Sequence, residues 1–293
     1  MPQRDHIPRR ARARRAGLVA ALSLVGLVSL SGCRASIKDG LLLKGADENA
    51  TTVTRLWVGG WIALIAVGLL VLGLIIWCLV RYRRKPGDNE LPPQLKYNVP
   101  LEVLYTVVPV LMIAVFFVYT ARDESTLLDV SKKPDETINV VGKQWSWDFN
   151  YVEPNVHEAG TQAELTGKPG VEATLPTLWL PVNQRVQFDL TSRDVIHSFW
   201  IPAFLQKLDM IPGRVNRFQV VPTELGTFQG KCAELCGAYH SQMLFNVKVV
   251  SRADFDAHMA QLRAEGNDGL LPNSLNRSEI LPKDEHLLPG STS

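Results

Sequence analysis

Two long apolar runs mark the first half of the chain, and short alternating segments mark the second. Residues 56–80 carry no charged side chain, and as a helix they are long enough to cross a hydrocarbon core of roughly 30 Å. Trp57 and Trp61 stand near one end of the run and Trp77 and Tyr82 near the other, as interfacial aromatics do. Arg81, Arg83, Arg84 and Lys85 follow at once and mark that end as cytoplasmic. The second run, residues 99–119, is broken only by Pro100, Glu102 and Pro109. Proline suits a first helical turn, and membrane spans tolerate the kink of an internal one. A shorter apolar stretch, residues 17–30, follows the basic residues at 9–15 and has the length of a signal-peptide core.

From Thr137 the period changes to that of strands rich in Val, Phe, Trp and Thr, divided by Pro and Gly. Strands are expected at 137–142, 144–151, 178–182, 185–191, 215–221, 226–230 and 243–250. So many short strands predict a sandwich or barrel with Greek-key connections. The polar, Gly-rich stretch 153–173 reads as a long loop interrupting it. Ser251 then suits an N-cap, with Phe255, Met259 and Leu262 on one helical face. Beyond Gly266 the chain is rich in Pro, Asn, Ser and Gly, a composition that orders only in patches.

The expected organisation is a signal peptide at 1–32 and an extracytoplasmic segment at 33–55. Spans at 56–80 and 99–119 flank a cytoplasmic loop at 81–98. The β domain takes 120–250, a helix 251–265 and a flexible tail 266–293. With both spans crossing, everything after the second lies outside the cytoplasm. A net charge of +2 over 293 residues, without a long basic block after the leader, argues against nucleic acid as a partner. Four cysteines are too few for a disulfide scaffold, so their placement matters more than their number.

The first of them closes Leu30-Ser31-Gly32-Cys33, which resembles the lipobox of bacterial lipoproteins. The resemblance implies cleavage before Cys33 and acylation of its thiol; the bland alternative is an ordinary secretory leader with Cys33 a bystander. Glu102 is the odd residue of the second span. An ionisable group there marks a proton or ion path, or else a carboxylate reaching the cytoplasmic interface, and spacing alone does not separate the two.

The densest chemistry is Cys232-Ala233-Glu234-Leu235-Cys236-Gly237-Ala238-Tyr239-His240-Ser241-Gln242-Met243, between two expected strands. Thiolate, thioether and imidazole together suit copper. A disulfide between the cysteines leaves His240 and Met243 without a reason, and Met is not a zinc ligand. A mononuclear blue-copper site needs one cysteine, so the second thiolate is best explained by a second metal. His197, in Asp194-Val195-Ile196-His197-Ser198-Phe199-Trp200, offers another imidazole.

This loop matches the Cys-x-Glu-x-Cys-x-x-x-His-x-x-Met pattern of cytochrome c oxidase subunit II. Similar to the same family are the His197 segment, Met210-Ile211-Pro212-Gly213-Arg214 and Gly142-Lys143-Gln144-Trp145-Ser146-Trp147. The resemblance implies an all-β cupredoxin-like Greek-key sandwich preceded by a two-helix transmembrane hairpin in the plasma membrane. It implies two copper ions, bridged by Cys232 and Cys236, each ligated by His197 or His240, with Met243 and the Glu234 carbonyl as weak axial ligands. Trp145 would receive electrons from a c-type cytochrome, whereas Trp147 reads as a strand aromatic of the core. Glu102 would stand at the mouth of a proton path. The Glu234 carboxylate would help hold a magnesium ion shared with subunit I, the partner that carries haems and a third copper and reduces oxygen to water; subunit III would complete the enzyme. The lipobox and the 153–173 insertion resemble versions from high-GC Gram-positive bacteria, which take electrons from a membrane-bound cytochrome. Arg193, where many members are acidic, argues against docking of a basic soluble one. The competing class is a copper-storing or copper-delivering membrane lipoprotein, which would bind Cu(I) reversibly without a mixed-valence signal.

Overall fold

The computed structural model describes residues 37–83, 87, 94, 96–163 and 174–274. The leader at 1–32, Cys33, Arg84, Lys85, residues 164–173 of the expected loop and the tail beyond 274 lie outside the described residues.

Two helices, α1 (Ala50–Arg81) and α2 (Val99–Leu127), are long and apolar enough to cross a membrane. Each exceeds its apolar run at the outer end, because hydropathy locates the hydrocarbon-embedded part while backbone hydrogen bonding continues past it. The added turns meet: Arg55 Nη2 stands 3.7 Å from the buried Asp123 carboxylate. At its inner end α2 begins in a reciprocal cap. The Asn98 side chain accepts from the Leu101 N–H at 3.3 Å, and Glu102 Oε1 accepts from the Asn98 N–H at 2.9 Å.

The segment before α1 is stitched to the β domain. Ala46 N–H donates to the Ala203 carbonyl, Glu48 N–H to Val221, and Thr223 N–H to Ala46. Asp47 is buried at this junction and accepts from the Val221 and Asn49 N–H groups at 2.8 and 2.9 Å. Burial outweighs those hydrogen bonds and raises its pKa to about 6.

The domain is two five-stranded sheets packed face to face. The strands are β1 (Glu136–Lys143), β2 (Ser146–Tyr151), β3 (Val156–Ala159), β4 (Thr177–Pro181), β5 (Val186–Ser192), β6 (His197–Ile201), β7 (Gln206–Met210), β8 (Asn216–Val220), β9 (Gly226–Cys232) and β10 (Leu244–Val250). One sheet runs β3-β2-β1-β5-β8 and the other β4-β10-β9-β6-β7. The parallel pairs β1/β5 and β4/β10 arise from connections that cross between sheets, as Greek keys require. Aromatic rings fill the space between: Phe199 stacks on Phe245 with centroids 5.1 Å apart, and Trp147 meets both edge-on. A Cβ at Gly230 would fall 2.0 Å from the Phe245 ring, so β9 needs glycine there.

Three strands escape the sequence pattern. β3 lies within the expected loop, and β6 and β7 fall outside every expected strand. All three are short, and β3 and β7 are sheet edges, where pairing with a neighbour decides more than intrinsic pattern does. Ser251 caps the C-terminal helix α3 (Arg252–Ala264), accepting from the Asp254 N–H, and Phe255, Met259 and Leu262 are its buried face. The chain then runs back over the first sheet, where Asn150 exchanges two hydrogen bonds with the backbone of Leu271.

Candidate metal centre

The sheet order brings the chemistry together. β9 ends at Cys232 and β10 begins just after Met243, as antiparallel neighbours, so the loop between them starts and ends on rigid strands. β6 pairs with the other side of β9 through Phe199 and Cys232, which sets His197, the first residue of β6, beside the loop.

Sγ of Cys232 and Sγ of Cys236 stand 3.9 Å apart, unbonded. His197 Nδ1 lies 3.9 Å from Cys232 Sγ, and His240 Nδ1 lies 3.5 Å from Cys236 Sγ. Met243 Sδ is 3.8 Å from Cys236 Sγ, and the Glu234 carbonyl oxygen is 3.2 Å from Cys232 Sγ. Atoms that share a metal at about 2.3 Å stand nearly 4 Å apart around a tetrahedron, so these separations fit metal-bridged rather than bonded sulfurs. His197, Cys232, Cys236 and Met243 are buried, whereas the Glu234 side chain is exposed and leaves its carboxylate to the outside.

Electrostatics favours unequal thiols before any metal binds. Burial pushes Cys232 up, but hydrogen bonding to His197 and to the backbone at Ser198 and Glu234 outweighs it, and its pKa falls to about 7. Cys236, buried beside that charge, is pushed up to about 12. Ionising both sulfurs takes the charge of a bound cation.

Asp194, to which the local pattern assigns no role, orients the site. Its Oδ1 is 2.8 Å from His197 Nε2, so the imidazole turns Nδ1 toward the sulfurs. The same carboxylate accepts from the Gln144 and Val195 N–H groups, both at 2.7 Å. An Asp three residues before a His was the available signal.

Trp145 is half-buried and packs on the loop, its indole Nε1–H donating to the Cys236 carbonyl at 3.2 Å. The Gln144 side-chain amide donates to the same oxygen at 2.8 Å. Gly237 lies under the ring with φ 126°, and a Cβ there would come 3.0 Å from it, so both backbone and contact call for glycine. Trp147 is fully buried in the core, its Nε1–H directed to the Met243 carbonyl. Glu102 is far from this group, at the inner end of a helix about 40 Å long. Cys33 lies outside the described residues.

Fold and donor set define the class: a membrane protein whose extracytoplasmic cupredoxin-like sandwich carries a loop of soft donors suited to a metal. A family model described as cytochrome c oxidase subunit II, periplasmic domain, matches residues 136–250. A probable cytochrome c oxidase subunit 2 of Streptomyces avermitilis is 45% identical, the match covering 92% of this chain and 93% of that protein. Cytochrome c oxidase subunit 2 of Mycobacterium bovis is 35% identical over 86% and 83%. Among solved structures, the periplasmic domain of subunit II of the Bradyrhizobium japonicum cytochrome oxidase is 32% identical with a TM-score of 0.42, covering 46% of this chain and 97% of that one. The chain belongs to the cytochrome c oxidase subunit II family.

Proposed function

We propose that the chain is the electron-accepting subunit of a proton-translocating oxidase in the plasma membrane, with two coppers held in the loop after β9. The observation that carries this reading is the pair of unbonded sulfurs, each faced by an imidazole Nδ1. Cys232, Cys236, His197, His240, Met243 and the Glu234 carbonyl would together hold the coppers, the two thiolates and two imidazoles as the principal donors and the thioether and carbonyl as the weaker ones. When bound, the copper pair supplies a one-electron carrier whose charge is shared between two metals.

The chain's own residues do the rest. Asp194 fixes the His197 tautomer, and strands at both ends of the loop hold the ligands still when charge changes. Half-buried Trp145 presents an aromatic face to a docked c-type cytochrome, membrane-bound in this reading, and its N–H joins that face to the backbone of Cys236. The outward Glu234 carboxylate is free to complete a magnesium site with subunit I, the haem-bearing partner that reduces oxygen to water, and subunit III would complete the assembly. Glu102 would stand at the cytoplasmic mouth of a proton path.

We further read residues 1–32 as a removable leader. The Cys33 thiol takes a diacylglyceryl group from a membrane phospholipid: a thioether forms, the carbon–oxygen bond to the headgroup phosphate breaks, and the thiol proton leaves with that phosphate. The mature chain then consists of the segment 33–55, spans 56–80 and 99–119 about the inner loop 81–98, the domain 120–250, a helix at 251–265 and a tail at 266–293.

Electron paramagnetic resonance of the copper-loaded full chain tests the centre. Two coppers per chain and hyperfine coupling spread over two nuclei are expected. One copper with four-line coupling overturns the binuclear reading, and reversible Cu(I) binding without any mixed-valence signal favours a storage protein instead.

A further inference from the structure

An apolar groove runs between α1 and α2 at their outer ends. Val53, Leu56, Trp57, Gly60, Trp61 and Leu64 line it from α1 and Phe116 and Thr120 from α2, around a volume of about 390 Å³. We propose that this groove holds an acyl chain carried by the chain's own Cys33. The inference rests on the lipoprotein reading above and adds where the lipid goes.

Three observations converge on that occupant. First, the chain arrives at the groove's rim. The Trp57 Nε1–H donates to the Gly40 carbonyl at 2.8 Å, and a Cβ on Gly40 would lie 2.9 Å from the Trp57 ring and 3.3 Å from that of Trp61. Gly40 and Leu41 both have positive φ, 62° and 64°, so the backbone turns where it touches the two lining tryptophans. Cys33 is seven residues upstream of Gly40, a tether of at most about 25 Å. Val53 to Leu64 extend over about 17 Å of helix, so the groove lies within its reach.

Second, the groove is shaped for a chain rather than a polar ligand. Among the described residues that line it, Thr120 alone carries a hydroxyl, and the Trp57 N–H is already occupied by Gly40. Gly60 widens it on the α1 side, since a Cβ there would meet nothing within 4 Å. Third, the lining residues stand on the half of the hairpin nearest the β domain, the outer leaflet, where a lipid added to an exported cysteine begins. A tethered acyl chain binds as an intramolecular ligand, at an effective concentration that free phospholipid must compete against.

Photo-cross-linking in native membranes tests this. With p-benzoylphenylalanine in place of Phe116, irradiation and digestion should yield an α2 peptide joined to the acylated Cys33 peptide. The same residue in place of Phe117, an exposed neighbour that does not line the groove, should not. Gly60→Leu fills the groove and should reduce the adduct at least several-fold while the N-terminal peptide keeps its lipid mass. Adducts at 116 with free phospholipid or with another subunit alone overturn the assignment. An N-terminal peptide without lipid mass overturns the lipoprotein reading itself and the groove assignment with it; a lipidated peptide that never cross-links overturns only the latter.

Discussion

The indole N–H of Trp145 donates to the carbonyl of Cys236, so a half-buried surface ring is one hydrogen bond from the loop that carries both cysteines. Trp145→Phe keeps an aromatic ring and loses that bond. Electron uptake from reduced cytochrome should slow by about tenfold or more, a barrier rise of about 1.4 kcal/mol, with copper content unchanged. Stopped-flow reduction beside metal analysis checks this, and an unaltered rate removes the role assigned to the ring.

Asp194 should govern copper affinity without touching copper. Asp194→Asn keeps the shape but weakens the hold on His197 Nε2. Loss of such an orienting partner costs about 10- to 100-fold in metal affinity, readable by competition with a copper chelator. Affinity equal to that of the parent would show that His197 needs no orientation.

Glu102 carries two readings that one pair of variants separates. Its carboxylate closes the N-terminal cap of α2 with Asn98, and glutamine can close the same cap. If the carboxylate also serves proton uptake, Glu102→Gln and Glu102→Ala should both slow turnover several-fold. Full turnover in the Gln variant alone would reduce Glu102 to a cap.

Asp47 makes stability depend on pH. Its folded pKa of about 6 lies above the ordinary 3.8, so the folded chain binds the proton more tightly. That stabilisation is complete below the ordinary value and is lost as pH rises through about 6, a swing of at most about 3 kcal/mol. Asp47→Asn removes the dependence. The melting temperature of the parent relative to the variant should therefore fall between about pH 4 and pH 8, and a constant difference would contradict it.

Trp147 should behave unlike its neighbour two residues away. It is fully buried among Phe199 and Phe245, and Trp147→Ala should cost about 3–5 kcal/mol. Chemical denaturation measures this; a loss below about 1 kcal/mol would mean the core collapses around the cavity.

What could be read along the chain is what local physics writes there. Apolar runs long enough for a bilayer locate both spans, and alternation locates most strands. The loop's cysteines, His240 and Met243 are legible because soft donors that converge within one turn must be close in sequence. The short strands β3, β6 and β7 were not legible, since their stability comes from neighbours that the local pattern does not reveal.

Sequence by itself determined the family, the hairpin and the donor types, because residue chemistry and periodicity need no partner to be recognised. Only the tertiary structure decided what meets what. His197 reaches Cys232 across 35 residues because β6 and β9 pair, and Trp145 reaches Cys236 across 91 because two sheets close on each other. Asp194 becomes the anchor of an imidazole, and Gly40 the neighbour of two tryptophans, through contacts that exist only once the chain has folded.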